Sequence, residues 1–234
     1  VYHRIAEEPG TRELELAPAV GRDAFRAELE YLHDHYDVVA PSALLDATRQ
    51  RGARLPVAIT FDDDTHSHID EALPALENTT AAFFLAGWSL HGDARPWWEL
   101  LQLAIDHGRF EREPGPIGRL GREIEELEPA ERRSLEHRLA ELTADLATDS
   151  GLDHSELSRL AARHEIGFHT RTHYRLSRLG ADDLATALTD GRDALAEAIG
   201  HPVDSIAYPH GDADESVAAT ARAAATRSGS PAAT

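Results

Sequence analysis

The sequence predicts an α/β fold built on a parallel sheet or barrel. Short apolar segments typical of strands alternate with segments whose apolar residues recur at helical spacing. The chain contains no Asn-Gly pair of the kind that closes tight hairpins, which argues against an antiparallel sandwich. The length of 234 residues suits one large domain with a sizeable core, and we expect no second independent domain.

Each element is assigned from its local pattern. Phe25, Leu29 and Leu32 recur at helical spacing, whereas residues 57–61 form an apolar, partly β-branched run that predicts a buried central strand. The predicted strands, in order, are residues 2–5, 38–39, 57–61, 81–85, 165–168 and 206–208. The predicted helices are residues 23–35, 44–51, 69–76, a segment beginning at Trp97, 180–200 and 216–225. The small, polar tail from Ser228 is expected to be disordered.

Residues 109–150 are predicted to form a helical insertion. They are rich in charge and in helix-forming residues, and the Pro114-Gly115-Pro116 break, with Gly118 and Gly121, separates them from the preceding helix. We expect this segment to face solvent and to take no part in catalysis.

The charge balance limits the possible partners. Asp and Glu number 42 against 23 basic residues, so the formal net charge is -19. Nucleic acids and anionic membrane surfaces would be repelled, and an uncharged or cationic substrate fits better. The chain has no Cys, so a metal site would have to use His, Asp or Glu. The sequence contains no signal for oligomeric state.

Localisation is predicted only by default. No apolar run approaches the roughly 20 residues that span a bilayer, and no signal peptide is visible, so the default expectation is the cytoplasm. However, the chain begins at Val1, inside a segment that already resembles a strand. An upstream secretion signal therefore remains an open alternative.

Three predicted strands end in polar residues. Asp62 to Asp64 follow the strand at 57–61, and His169 and His173 follow the strand at 165–168. The turn Tyr208 to Gly211 stands at the end of the strand at 206–208. A row of carboxylates is often a solvated loop, and a His pair at spacing four also arises by chance. Because ligands bind at the carboxyl edge of parallel sheets and barrels, the combination predicts a site for metal binding or acid–base chemistry.

At these residues the chain resembles the metal-dependent polysaccharide deacetylases, a family of carbohydrate esterases. The family motif Thr-Phe-Asp-Asp-Gly is similar to Thr60 to Asp64, and the motif His-Ser/Thr-x-x-His to His169 to His173. The resemblance also includes the Leu-Pro-x-Leu segment at Leu73 to Leu76 and the strand Phe83 to Leu85. Tyr208 to Gly211 is similar to the Pro-Tyr-Gly turn of the family.

The resemblance implies an incomplete (β/α) barrel, here residues 1–227, and a metal centre. It implies that Asp62 is the general base, and that Asp63, His169 and His173 bind one divalent ion. Zinc is the default, and cobalt, nickel or iron would be accepted by the same ligands. One carboxylate and two neutral imidazoles suit such an ion, which acidifies water and polarises an acetamide carbonyl.

The remaining roles also follow from the resemblance. The backbone N–H of His210, in the turn that begins at Tyr208, is expected to share the oxyanion with the metal. The leaving amine needs a proton, which a His supplies best near neutral pH. The C-terminal motif that carries this His in much of the family is missing, and Tyr2-His3 resembles the first-strand arrangement of other members. We therefore assign the acid to His3, with a structural His as the alternative.

The chain departs from the family pattern at several positions. Asp64 stands where the family has Gly, and Ala207 stands where an Arg often orients the base. Arg4 and Arg171 are the alternative candidates for that task. After residue 225 the expected closing strands are missing or altered. Trp97, with its neighbour Trp98, is assigned either to a sugar-stacking platform or to the core at a helix start.

The predicted function is hydrolysis of an N-acetyl group, less readily an O-acetyl group, on an amino sugar in a glycan or glycolipid. A metal-dependent amidohydrolase acting on a small non-sugar amide is the alternative within enzymes. An inactive glycan-binding relative is the alternative outside them, and the altered C-terminal region and missing Arg favour it.

The composition also predicts tolerance of high salt. All 23 basic residues are Arg, and acidic residues are in large excess, which suits either adaptation to salt or a GC-rich genome. If the first explanation holds, acetate release should persist or rise in molar KCl, because salt screens repulsion among the carboxylates. Loss of activity in molar salt, measured with the fold intact, would exclude adaptation to salt.

Overall fold

The computed structural model describes residues 1–50, 52–91, 95–113 and 115–227. The tail from Ser228, predicted to be disordered, lies outside these ranges. The strands are β1 Ile5–Ala6, β2 Val20–Gly21, β3 Asp37–Val38, β4 Pro56–Val57, β5 Thr60–Asp62, β6 Ala82–Leu85 and β7 Glu165–Phe168. The helices are α1 Arg22–His35, α2 Leu44–Arg49, α3 Leu73–Leu76, α4 Trp97–Asp106, α5 Ile117–Glu125, α6 Pro129–Leu142, α7 His154–Ala161, α8 Ala181–Ala187, α9 Arg192–Ile199 and α10 Glu215–Arg227.

All paired strands run parallel, as predicted. β5, β6 and β7 form the central sheet, and single bridges extend it on either side, from Phe61 to Tyr2 and from Phe168 to Ile206. β1 pairs with β2, and β3 pairs with β4, as separate two-stranded units. Within the described ranges the pairing does not close into a ring, so the α/β fold and the incomplete barrel are confirmed.

Four predicted elements differ from the structure. The central strand is divided into β4 and β5, and the predicted strand at 206–208 is reduced to the bridge at Ile206. The helix predicted over 180–200 is two helices, because Gly191 takes the left-handed conformation between them (φ 90°). The helix predicted over 69–76 begins as a π turn, His68–Ala72, ahead of α3.

Aromatic residues from the strands form the core beneath the sheet edge. Phe61 and Phe83 stack at 4.6 Å between ring centroids, and Phe25 meets Phe61 edge-on at 5.9 Å. All three are buried, as is Phe168 at the end of β7. This packing holds the carboxyl ends of β5 and β7 on either side of β6. It therefore sets the distance between the residues that follow these two strands.

The segment at 109–150 faces solvent on one side only, because α5 and α6 bury their other face, and in that respect the expectation is wrong. Ile117, Gly121 and Ile124 of α5 are buried, and α6 contributes Leu139 to a second core cluster with α4. The buried residues of α5 follow the helical spacing i, i+4, i+7. The apolar spacing is present in the sequence, but the many charged residues around it led to the prediction of a solvent-facing segment.

No helix among the described residues is both long and apolar enough to cross a bilayer.

The register of β6 and β7 makes Gly167 sensitive to substitution. Gly167 pairs directly with Phe84, and a Cβ added to it would lie 2.3 Å from Phe84 Cδ1 and 2.7 Å from Ser205 Oγ. We expect Gly167→Ala to lower the free energy of unfolding by about 1–3 kcal/mol in urea titrations. The control is Gly180→Ala, where a new Cβ meets nothing within 4 Å. Equal stability of the two variants would contradict the packing described here.

Candidate active site

Unusual backbone conformations gather at the ends of the central strands. Among the described residues, five non-glycine residues have positive φ, and four of them lie at the predicted site. These four are Asp63 (72°), Thr170 (57°), His173 (48°) and His210 (59°). Left-handed backbone at a residue with a side chain costs of order 1–3 kcal/mol and persists only where surrounding contacts hold it. The concentration of these residues marks this edge as the functional part of the molecule.

The structure brings the three predicted metal ligands together. Asp63 follows β5 directly, and His169 follows β7 directly. Asp63 Oδ1 lies 3.8 Å from His169 Nε2 and 3.8 Å from His173 Nε2. One donor atom from each residue lies within 4.8 Å of the others, a spacing that one cation could bridge.

The imidazoles of His169 and His173 are held in the neutral form that can bind a metal ion. Burial lowers the pKa of His169 to about 4 and holds the pKa of His173 well below its usual value. His169 Nδ1 lies 3.0 Å from the carbonyl oxygen of Ala207. That oxygen can only accept, so Nδ1 carries the proton and the lone pair of Nε2 points toward Asp63.

Asp63 supplies the test of whether this set fits a metal ion. Its carboxyl group is 6% exposed, and Oδ1 has no hydrogen-bond partner among the described residues. Burial, together with the charges of Asp62 and Asp64, raises the pKa of Asp63 well above its usual value. A divalent cation would satisfy the orphaned oxygen and offset the buried charge, so the residues present fit the ion.

The first segment of the chain brings His3 next to Asp62. Tyr2 N donates to Thr60 O at 2.8 Å, and Asp62 N donates to Tyr2 O at 2.9 Å, so residues 1–3 run alongside β5. Burial raises the pKa of Asp62, and the neighbouring His3 opposes that shift. Desolvation by the cavity walls lowers the pKa of His3, and Asp62 opposes it in turn.

One cavity of about 730 Å³ reaches all the predicted site residues. Its walls include His3, Asp62, Asp63, Trp97, His169, His173, Tyr208 and His210. A second cavity of about 480 Å³ shares His3, Arg4 and Asp63 with the first, as well as Trp98. The two cavities therefore adjoin at His3 and Asp63.

Two helical residues that the sequence analysis passed over support this cavity. Glu125 of α5 accepts a hydrogen bond from Arg175 Nη2 at 2.8 Å, and its Oε1 lies 3.7 Å from His210 Nδ1. Arg132 of α6 donates to carbonyl oxygens in the loop that carries His173. In the sequence, only the apolar spacing of Ile117, Gly121 and Ile124 in α5 indicates that residues 109–150 pack against the rest of the protein.

Asp64, which stands at the glycine position of the Thr-Phe-Asp-Asp-Gly motif, makes side-chain hydrogen bonds that a glycine could not make. The left-handed residue of the turn is Asp63, and Asp64 is completely buried. Its carboxylate accepts from Ala86 N at 2.8 Å and from Trp88 N at 2.9 Å. Trp88 Nε1 in turn donates to Arg171 O at 2.9 Å. Asp64 therefore ties the loop after β6 to the turn after β5, and its charge is directed at backbone amides and away from the cavity.

Neither Arg4 nor Arg171, the two candidates for replacing the arginine absent at position 207, pairs with Asp62 in the described residues. Arg171 is bound to Asp190, with Nε 2.9 Å from Oδ2. Arg4 lies near Glu15, at 3.5 Å, and near Asp149, at 3.9 Å. Among the described ion pairs, neither arginine is paired with Asp62.

Of the two tryptophans, the one predicted as a substrate contact belongs to the core. Trp97 is 3% exposed and packs in the second core cluster, so it presents almost no ring face to a sugar. Trp98 is half-buried, and its ring centroid lies 4.7 Å from that of His173. The assignment of Trp97 as a stacking platform is corrected accordingly to its alternative, the core at a helix start, although Trp97 also lines the cavity.

A family model described as polysaccharide deacetylase matches residues 49–229 of the chain. No curated protein is similar enough in sequence to be matched.

Solved structures resemble the chain over nearly all of its length. The deacetylase PplD from Streptococcus pyogenes, in complex with acetate, aligns with a TM-score of 0.61 at 17% identity, covering 95% of this chain and 77% of that one. IcaB from Ammonifex degensii aligns with a TM-score of 0.60 at 20% identity, covering 95% and 78%. A polysaccharide deacetylase from Bacillus cereus aligns with a TM-score of 0.55 at 17% identity. The alignment covers 95% of this chain and 53% of that one, so the chain spans about half of that protein. At these identities the likeness demonstrates the shared fold.

The donor set predicts metal-linked stability. Zinc at about one hundred times its dissociation constant should stabilise the metal-free protein by about 2.7 kcal/mol, visible as a raised Tm. Asp63→Asn should remove most of this increase, because the amide is a much weaker ligand than the carboxylate. The control is His201→Ala, at an exposed histidine, which should keep the full increase. A zinc-dependent rise of the same size in Asp63→Asn would show that the ion binds elsewhere.

Proposed function

Since the chain belongs to the polysaccharide deacetylase family, and is thus a hydrolase of carbon–nitrogen bonds, we propose that it removes N-acetyl groups from an amino-sugar polysaccharide or glycolipid. O-acetyl groups would be a lesser substrate. The observation that carries the proposal is the buried donor set of Asp63, His169 and His173, which opens onto a large cavity with Asp62 and His3 in its wall.

Asp63, His169 and His173 would hold one divalent ion, with zinc as the first choice. When bound, the ion supplies Lewis-acid chemistry that polarises an acetamide carbonyl and makes water more acidic. Cobalt, nickel or iron suit the same ligands.

The residues of the chain then divide the proton transfers between them. Asp62 accepts a proton from the attacking water, whose oxygen forms the new bond to the acetyl carbon. His3 donates a proton to the amine nitrogen as the carbon–nitrogen bond breaks, leaving acetate and a free amino sugar. The backbone N–H of His210 stabilises the negative charge that develops on the carbonyl oxygen. Glu125 and Arg175 support the turn that presents this N–H.

The two adjoining cavities favour a polymer over a small amide. They meet at Asp63 and His3, so sugar units on both sides of the reacting one have surface to occupy. Trp98 offers a partly exposed aromatic ring beside the donor set, the kind of surface that suits a pyranose.

The test is acetate release from N-acetylglucosamine oligomers by the purified protein. Activity should disappear on chelation and return with zinc. Asp62→Asn and His3→Ala should each lower kcat by about 10²–10⁴-fold, the usual contribution of a positioned acid or base. His201→Ala, at an exposed histidine of the same type, should leave kcat unchanged.

The other outcomes separate the alternatives. Release that depends on metal and on Asp62 but not on His3 would leave His3 as a structural residue and assign the acid elsewhere. Tight zinc binding without release from any oligomer would favour a small amide substrate, to be tested with formamides and cyclic amides, or an inactive glycan-binding protein. Absence of zinc binding would refute the assigned centre.

A further inference from the structure

Arg132 is a buried arginine that holds the loop between the two histidine ligands. It lies on α6 and is 1% exposed. Its Nη2 donates to Thr172 O at 2.8 Å, and Nη1 and Nη2 both lie 3.2 Å from His173 O. A single guanidinium group therefore binds the backbone of the second histidine and of the residue before it.

The surroundings of Arg132 hold its charge in one position. Nε donates to Glu136 Oε1 at 3.0 Å, one turn along the same helix. The guanidinium carbon lies 4.4 Å from the ring centroid of Tyr174 and 5.6 Å from that of Trp97. Because desolvating an arginine is costly, a buried guanidinium group needs such contacts. The fork geometry of arginine, which matches two neighbouring acceptors, explains why this residue type stands here.

The two histidine ligands are oriented in different ways. A metal-binding His normally has its second ring nitrogen held by a hydrogen bond, as Ala207 O holds Nδ1 of His169. His173 Nδ1 has no hydrogen-bond partner among the described residues. Ring contacts surround this imidazole, at 4.7 Å from Trp98, 4.6 Å from His210 and 5.0 Å from His169.

Since no described hydrogen bond fixes Nδ1, the position of the His173 ring depends on ring packing and on the conformation of its backbone. That backbone is left-handed, with φ 48°, a conformation that an unrestrained histidine would leave. The contacts from Arg132 hold the carbonyl groups on both sides of the His173 Cα, at Thr172 and at His173 itself. Loss of these contacts would free both carbonyl groups, and we expect the loop to relax and to move Nε2 away from Asp63.

We propose that Arg132 is a positioning residue for the metal centre, which acts through the Thr172 and His173 carbonyls to fix the imidazole of His173 as a ligand. The inference rests on the proposed donor set but not on the identity of the substrate. A residue of α6, in the segment predicted to face solvent, then decides how tightly the cation is held.

The experiment compares Arg132→Met and Arg132→Lys with a matched control elsewhere in the fold. Arg192 is also a buried arginine, 8% exposed, and its Nε donates to Val203 O at 2.7 Å. Arg192→Met thus removes a guanidinium from a backbone carbonyl outside the histidine loop. For each protein we would measure Zn²⁺ affinity against a chromophoric chelator, the visible spectrum of the Co²⁺ form, and unfolding of the metal-free protein in urea.

Arg132→Met should weaken Zn²⁺ binding by about 10- to 100-fold, the range seen when a partner of a metal ligand is lost. It should also change the Co²⁺ spectrum, because one imidazole is misplaced. Arg132→Lys keeps the charge but reaches fewer acceptors, so it should give an intermediate loss. Arg192→Met should destabilise the metal-free protein while leaving Zn²⁺ affinity within about twofold of the wild type.

Zn²⁺ affinity and a Co²⁺ spectrum unchanged in Arg132→Met would overturn the inference, as would an equal loss of affinity in Arg192→Met. If Arg132→Met does not fold, Arg132→Lys decides, and wild-type affinity in that variant counts against the proposal. Wild-type protein that binds no metal would instead refute the proposed centre itself. Metal binding that depends on Arg132 without acetate release would support the inference while refuting the deacetylase activity.

Discussion

The site depends on one constraint, a carboxylate buried without a hydrogen-bond partner opposite two neutral imidazoles. Asp63 faces Nε2 of both His169 and His173, and burial keeps those rings unprotonated. An isolated charge in such a place is costly, and hydrogen bonding within the described protein does not relieve it. A bound cation would offset this cost, and residues elsewhere in the chain hold the three side chains close enough together to bind one.

The support comes from backbone contacts more than from side-chain contacts. Asp64 ties the turn after β5 to the loop after β6, and Trp88 continues that link to Arg171 after β7. From the opposite side, Arg132 holds the backbone at His173. Left-handed residues at the site are thus restrained by neighbours from several elements, which is the condition under which such strain persists.

Features that depend on a few neighbouring residues could be predicted from the sequence, whereas features that depend on tertiary packing could not. Strand ends are local, so the polar residues after β5 and β7 were identified from a few neighbouring positions. Orientation around a helix is not local: whether Trp97 or Trp98 keeps an exposed ring depends on how α4 packs, and the structure buries Trp97 and leaves Trp98 half-buried. The position of α5 and α6 was misjudged for a related reason, because charge density is averaged over a segment whereas burial depends on one face of it.

By itself, the sequence determined the parallel α/β class, the donor residue types and the separation of the two motifs, because strand periodicity and ligand chemistry are properties of short segments. Only the tertiary structure decided which residues meet. His3 reaches Asp62 because residues 1–3 pair alongside β5, and Arg132 reaches His173 across 41 residues of chain. Such encounters between distant segments depend on packing of the whole core, and no local pattern records them.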